Sequence, residues 1–233
     1  MLHTIKRLIK SKSKHKDGSI LPIPDQINSW RTANRNMVWG IQEAEFDRIG
    51  EPPLLTDKDR RDGFVGVILS YGFGHDGHGN ADAVLSGKLA WEYACKRRGG
   101  KTWQCENIHF DRPDHFRLRP EAAPRPKGYY FSKIQTGERY QNLNMSQFLK
   151  RLDDHTCCGP EGIQLLTITH AHFTDRMNDR KMPFMTFGDY HVAPHGFSDF
   201  SDALQMFCSQ GILGLGIGKV DLNYPLFGIP TLC

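Results

Sequence analysis

Three short segments concentrate the side chains able to do acid–base or metal chemistry. They are Gly72–Asn80 (GFGHDGHGN), Thr169–His172 (THAH) and Gly188–His195 (GDYHVAPH), and they carry His75, His78, His170, His172, His191 and His195 together with Asp76 and Asp189. Six of the eleven histidines thus fall within 21 residues, where an even spread would put about one. Histidine changes charge near neutral pH and is a common metal ligand. Titratable groups gathered in loops are therefore the first place to look for a site. Asp76, His170, His172 and Asp189 are the candidate acid–base or metal groups. At a strand end, His170-x-His172 would point both rings to one face, as chelation requires. Imidazole with carboxylate suits zinc, iron or nickel. No fixed metalloprotein signature such as HExxH is present, so the pattern leaves open both a divalent metal and ordinary hydrogen-bonded loop histidines.

The first of these loops also matches a phosphate-binding pattern. Gly72-x-Gly74-x-x-Gly77 has the spacing of the dinucleotide fingerprint and stands between a predicted strand and a predicted helix. Glycines let a backbone approach a phosphate closely, and a helix N-terminus adds N–H donors. Gly72, Gly74, Gly77 and Asn80 are the candidate ligand-binding positions. Two features depart from the fingerprint. Gly79 and Asn80 delay the helix, and the next acidic residue at a strand end, Asp111, lies beyond the usual distance of about 20 residues. Hydrolysis or group transfer is accordingly favoured over hydride transfer, and no P-loop lysine or G-x-S-x-G elbow is present.

Such loops need a scaffold that brings them together. The continuous apolar runs 64–71, 163–169 and 183–187 predict strands buried on both faces. Further strands are predicted at 103–110, 129–135 and 212–217. Helical spacing predicts helices over 27–48, 81–98, 146–153, 171–181 and 199–209. Alternation of strand and helix predicts an α/β fold: a mainly parallel, Rossmann-like three-layer sheet with helices on both faces. Parallel strands send their carboxyl ends to one edge, so the three histidine loops are expected to open there.

Residues 1–25 are expected to form a basic flexible tail and residues 26–233 a single α/β domain. The net charge of +4 is a tail property: residues 1–16 carry Lys6, Arg7, Lys10, Lys12, Lys14 and Lys16 and no acid, leaving −2 for the rest. Such a tail attracts nucleic acid or other anionic partners without specificity. It is too broken by charge for a signal-peptide core, although a mitochondrial-type presequence fits its lack of acids before Asp17. No stretch reaches the roughly 18–20 apolar residues of a membrane span, and a cytoplasmic location is expected. The six cysteines form no Cys-x-x-Cys pair, which fits reduced thiols. The segment 112–127, rich in Arg and Pro, reads as a solvated linker.

Two segments resemble the SanA-like bacterial family linked to vancomycin exclusion. Val67–Gly99 resembles its strand, glycine loop and helix ending in a Tyr and a Gly. Leu165–Met182 resembles its later strand followed by a His and an Arg. Together they cover about a fifth of the chain. His172 and Arg176 are four apart, where the family pattern has three, and the family's frequent N-terminal membrane anchor is not expected here. The resemblance implies a Rossmann-like fold and a nucleotide-like ligand. The leading expectation is thus a protein binding a phosphorylated or nucleotide-type small ligand, as a hydrolase or transferase. The alternative is a non-enzymatic binding protein that engages nucleic acid or a protein through its basic tail.

Overall fold

The computed structural model describes residues 19–74, 80–119, 122, 125–152, 156–177, 182–193 and 200–233. In chain order the helices are α1 (Ile23–Met37), α2 (Glu43–Asp47), α3 (Asp57–Arg61), α4 (Asn80–Arg98), α5 (Met145–Leu149) and α6 (Pro160–Gln164). The strands are β1 (Gly66–Gly72), β2 (Thr102–Gln104), β3 (Phe116–Leu118), β4 (Gly128–Gln135), β5 (Thr156–Cys157), β6 (Phe184–Val192), β7 (Asp202–Ser209), β8 (Ile212–Lys219), β9 (Phe227–Gly228) and β10 (Thr231–Leu232).

The strands form two sheets. The first, ordered β1-β4-β10-β5, is antiparallel throughout. The second, ordered β2-β8-β7-β6-β3 with β9 beside β6, is antiparallel except for the short pairs β2–β8 and β6–β9. The expected mainly parallel, Rossmann-like three-layer sheet is therefore not the fold. β1 lies antiparallel to β4, and β6 lies antiparallel to both β7 and β3.

Two segments account for the difference. Residues 163–169, expected as a central strand, are helical: α6 runs on into a π-helical turn over Leu165–Thr169. Every residue from Pro160 to Thr169 is buried. A helix enclosed on all sides is apolar all round and shows no amphipathic stripe. The segment expected as a helix over 199–209 is instead β7, joined to β8 by the two residues Gln210 and Gly211, both with positive φ (50° and 77°). That is the backbone of a type I′ hairpin, whose twist suits antiparallel strands.

β1 lies at an edge of its sheet, and side chains replace the missing neighbour. From α1, the Gln26 amide donates to Val67 O (2.9 Å) and accepts from Leu69 N (2.8 Å), while Trp30 Nε1 donates to Leu69 O (3.0 Å). The Gln164 amide accepts from Tyr71 N (3.1 Å) and donates to Tyr71 O (2.8 Å). An edge strand left open would carry unpaired main-chain groups into the core, so both glutamines are buried. Within the segment expected as a tail, residues 19–25 are placed: Ile20 packs over Gly66, where a Cβ would come within 2.6 Å of it, and α1 opens at Ile23 behind Pro22.

Replacing Gln164 by Leu keeps the volume but strands both polar groups of Tyr71. Each buried unpaired group costs about 1–3 kcal/mol, so urea unfolding should show a loss of roughly 2–5 kcal/mol. A loss below about 1 kcal/mol would contradict closure of the edge by this amide.

Candidate functional site

Of the residues singled out from the sequence, Asp76 and Gly77 lie outside the described residues, as do His75, His78 and His195. Asn80 opens α4. Gly72 and Gly74 have packing reasons to be glycine. A Cβ on Gly72 would come within 2.1 Å of Pro126 O, and Gly74 (φ +109°) leaves room for the Asp82 carboxylate. A dinucleotide-type role rested on a parallel sheet presenting this loop at its carboxyl edge, and that sheet is not there. The fold therefore lends no support to the expectations of nucleotide binding and hydrolysis.

His170 is fully buried. Its Nε2 accepts from Leu21 N (2.8 Å), so the neutral ring keeps its proton on Nδ1, which lies 2.8 Å from Thr169 Oγ1. Burial, and secondarily the neighbouring His172, push its pKa down to about 3. The His172 ring lies 5.8 Å from it, and both rings touch Phe173. His170 thus fastens the entry to α1 onto the end of the π-turn. Among the described residues, no group of three His, Cys, Asp or Glu side chains is placed to hold a metal ion.

Asp189 sits elsewhere. Three residues of β6, Gly188–Tyr190, interrupt the register between Phe187↔Leu204 and His191↔Ala203. Bulges re-aim side chains, and here Asp189 meets two arginines. Arg125 Nη2 donates to Asp189 Oδ2 (2.6 Å) and its Nε to Glu161 Oε1 (2.6 Å), while Arg119 Nη2 donates to Asp189 Oδ1 (3.3 Å). Tyr130 Oη and Gly159 N also donate to Glu161 (2.8 and 3.1 Å). Two guanidiniums thus balance two carboxylates in the interior. Burial opposes the charge of Glu161, but Arg125 and the hydrogen bonds outweigh it and hold its carboxyl below the usual range. At Asp189 burial dominates over Arg125, and the carboxyl is pushed up. Burial also pushes the adjacent thiols of Cys157 and Cys158 up, away from thiolate chemistry. The segment Arg125–Pro126 touches both Asp189 and Gly72, so two of the three histidine-loop segments converge on it. His170 and His172 lie past the far end of the stretch that Glu161 begins.

With those groups engaged in holding the fold, the surface best equipped for recognition is the outer face of the second sheet. β8 alternates Leu213, Leu215 and Ile217 with Gly214, Gly216 and Gly218. The two buried leucines face the core, and the glycines of the other face are buried beneath the Phe207 ring and the Gln205 side chain. Across one rung, Trp103 of β2 pairs with Gly214, which pairs with Phe207 of β7. A Cβ on Gly214 would come within 2.4 Å of the Phe207 ring. The row continues: Trp103–Phe207 centroids lie 5.9 Å apart, Phe207–Phe184 5.9 Å, Phe184–Phe227 5.1 Å and Phe227–Tyr224 5.6 Å. Trp103 is 50% exposed and the other four rings are half-buried. Lys101 precedes β2 at this end, whereas the basic residues of the last turn of α4 are engaged elsewhere: Lys96 Nζ donates to Asn36 O (2.6 Å), Arg97 lies over the Tyr93 ring and Arg98 Nη1 donates to Thr174 Oγ1 (2.9 Å). None of these four is ion-paired among the described residues. Arg98 Nη2 anchors this end by donating to Gly211 O in the β7–β8 turn (3.2 Å). The sequence carries the signal as the basic–aromatic run Lys96–Trp103 and the glycine alternation over 214–218, neither of which involves a titratable cluster.

These features define a two-sheet, predominantly antiparallel protein with one fully buried helical stretch and a half-exposed aromatic sheet face. No helix among the described residues is long and apolar enough to cross a membrane. Neither a protein-family model, nor a curated protein, nor a solved structure matches the chain. The Rossmann-like fold implied by the SanA-like resemblance is not observed.

Two predictions follow from the buried groups. Arg125→Met should cost about 3–5 kcal/mol in chemical denaturation, since it leaves the buried Glu161 without a cation and Asp189 with Arg119 alone. For His170 the folded pKa is depressed, so its contribution is intact above the unfolded value of 6.5 and is lost as pH falls toward about 3. Stability should therefore fall by up to about 1.4 kcal/mol per pH unit across that window through this residue alone. In His170→Gln, which keeps an acceptor for Leu21 N, unfolding curves between pH 6 and 4 should be flatter by that amount. Parallel curves would refute the assignment.

Proposed function

We propose that this protein is a non-enzymatic binding protein for single-stranded nucleic acid, held on the outer face of its second sheet. The observation that carries this reading is the row of five aromatic rings from Trp103 to Tyr224, crossing the sheet over a strand stripped of side chains by glycine. Unpaired bases stack on aromatic side chains with little sequence preference, at about 1–3 kcal/mol per base, and cationic grooves follow the phosphates. An antiparallel sheet with exposed rings is a recurrent way to present such a surface. Lys101 supplies positive charge two residues before the first ring, and residues 1–16 supply six further cations in the sequence. This is the alternative function raised by the sequence, with its principal contact moved from the tail to the sheet.

Fluorescence anisotropy with labelled single-stranded oligonucleotides tests it. Trp103→Ala should weaken binding by roughly 5- to 100-fold while lowering the melting temperature by no more than a few degrees, because half of that residue already faces solvent. Removing residues 1–18 should reduce the slope of log K against log salt by about four, from roughly 0.7 per cation. No binding at low salt, or an affinity indifferent to Trp103, would overturn the reading.

A further inference from the structure

β2 ends the second sheet, with β8 as its one neighbour. Leu213 N donates to Lys101 O (3.1 Å) and Cys105 N donates to Leu215 O (2.9 Å), so residues 101 and 105 turn main-chain groups toward β8. In a parallel ladder alternate residues face the same neighbour. Thr102 and Gln104 therefore point their N–H and C=O groups away from the sheet. Gln104 is exposed, and Trp103 between them is 50% exposed. The first sheet treats its edge differently. There Gln26, Trp30 and Gln164 meet the free main-chain groups of β1. Among the described residues, no side chain does this for Thr102 or Gln104, and the Gln104 amide turns instead to Ile108 O (2.8 Å).

Three features fit this edge to a second copy of itself. The first is its main-chain pattern. Thr102 and Gln104 flank Trp103, so an antiparallel strand of the same sequence sets each Thr102 against the Gln104 of the other copy. Each such pair exchanges both of its N–H···O bonds, about four in all. The second is Trp103. In that register it lies on the two-fold axis, opposite its counterpart, where strands approach to about 4.5 Å between Cα atoms. Aromatic residues opposed in this way add to strand pairing, and Ile212, 45% exposed on the neighbouring strand, extends the apolar surface. The third is charge. Lys101 precedes the strand and Glu106 follows it; both are exposed, and neither is ion-paired among the described residues. Antiparallel order brings each Lys101 beside the Cys105–Glu106 end of the other copy, whereas parallel order sets lysine beside lysine. Within β2 there is no proline and no charged side chain, the usual devices that keep strand edges apart.

We propose that the chain forms a two-fold symmetric dimer by antiparallel pairing of β2 with β2 of a second copy. The second sheets of the two copies then run on as one, and their aromatic rows meet end to end at the Trp103 pair. A two-fold contact uses the same edge of both copies and leaves none for further growth, so the assembly closes at two.

Analytical ultracentrifugation of the full chain at concentrations up to about 100 µM tests this. It is done without nucleic acid, so its failure leaves the reading of the aromatic row standing. The wild type should dimerise. Gln104→Pro removes an outward N–H and no bond to β8, and should weaken the dimer about tenfold or more. Lys101→Glu should weaken it as well, and adding Glu106→Lys to that variant should restore it, a rescue that a folding defect does not produce. With Cys233 replaced by serine, Trp103→Cys should give a disulfide-linked dimer on mild oxidation, because Cα atoms about 4.5 Å apart suit a disulfide; Cys233→Ser alone should not. A monomer at the highest concentration, which would leave the edge to a strand from a different protein, overturns the proposal. So does a dimer that survives both Gln104→Pro and Lys101→Glu, or one without the Trp103→Cys cross-link.

Discussion

The Arg125 guanidinium is the constraint around which the interior is arranged. It joins Glu161 at the start of α6 to Asp189 in the bulge of β6, and so ties the buried helical stretch to the second sheet. Tyr130 of β4 reaches the same carboxylate, which brings in the first sheet. Charges removed from water are tolerated only when nearly every acceptor and donor is met. Here that demand fixes several elements relative to one another. It accounts for the break in register of β6 and for the glycine at 159, where a Cβ would come within 2.8 Å of Arg125 Nη2 and displace the guanidinium from its two carboxylates.

A second demand follows from the first. Holding α6 and the π-turn in the centre places them beside β1, where a further strand would otherwise pair. The sheet edge is completed by two glutamine amides and an indole instead. These groups offer the same donor and acceptor pattern as a neighbouring strand, yet they come from helices. A strand edge can therefore face a helical core without leaving main-chain groups unpaired. The second sheet differs in kind: its inner face packs on the core, while its outer face is left to glycine and aromatic rings.

Several elements were legible in the sequence. β1, β4, β8 and α4 fall close to their predicted spans, because long apolar runs and an uninterrupted helix leave little ambiguity. What misled was burial without periodicity. Ile163–Thr169 is rich in β-branched residues and reads as a strand, but Gln164 is needed as a helical side chain against Tyr71, and a fully enclosed helix gives no stripe. Ala203–Met206 has helical propensity, yet Gln210-Gly211 closes a hairpin. Turn geometry and cross-strand pairing overrode that propensity. Among the candidate groups, the histidine cluster drew attention by its chemistry alone. His170 turned out to hold a backbone amide, a role that spacing does not announce. Arg125 and Glu161 carried no signal, since their meaning depends on a contact 36 residues apart. The aromatic row was hidden for a similar reason: its members come from residues 103, 184, 207, 224 and 227.

The placement of β10 bears on how the chain is made. Thr231 and Leu232 do not lie at a sheet edge; they run between β4 and β5 and hydrogen-bond to both. The β7–β8 hairpin, closed by two residues, forms from neighbouring chain and can assemble as soon as it has emerged from the ribosome. The first sheet has no such freedom. At roughly 5–20 residues per second, β1 and β4 exist for many seconds before the strand that joins them to β5 has been synthesised. Through that interval one edge of β4 faces solvent and neighbouring chains. Gln26 and Trp30, both encoded ahead of β1, can seal its Val67–Leu69 stretch early, whereas the Tyr71 end waits for Gln164 and β4 waits for the last strand.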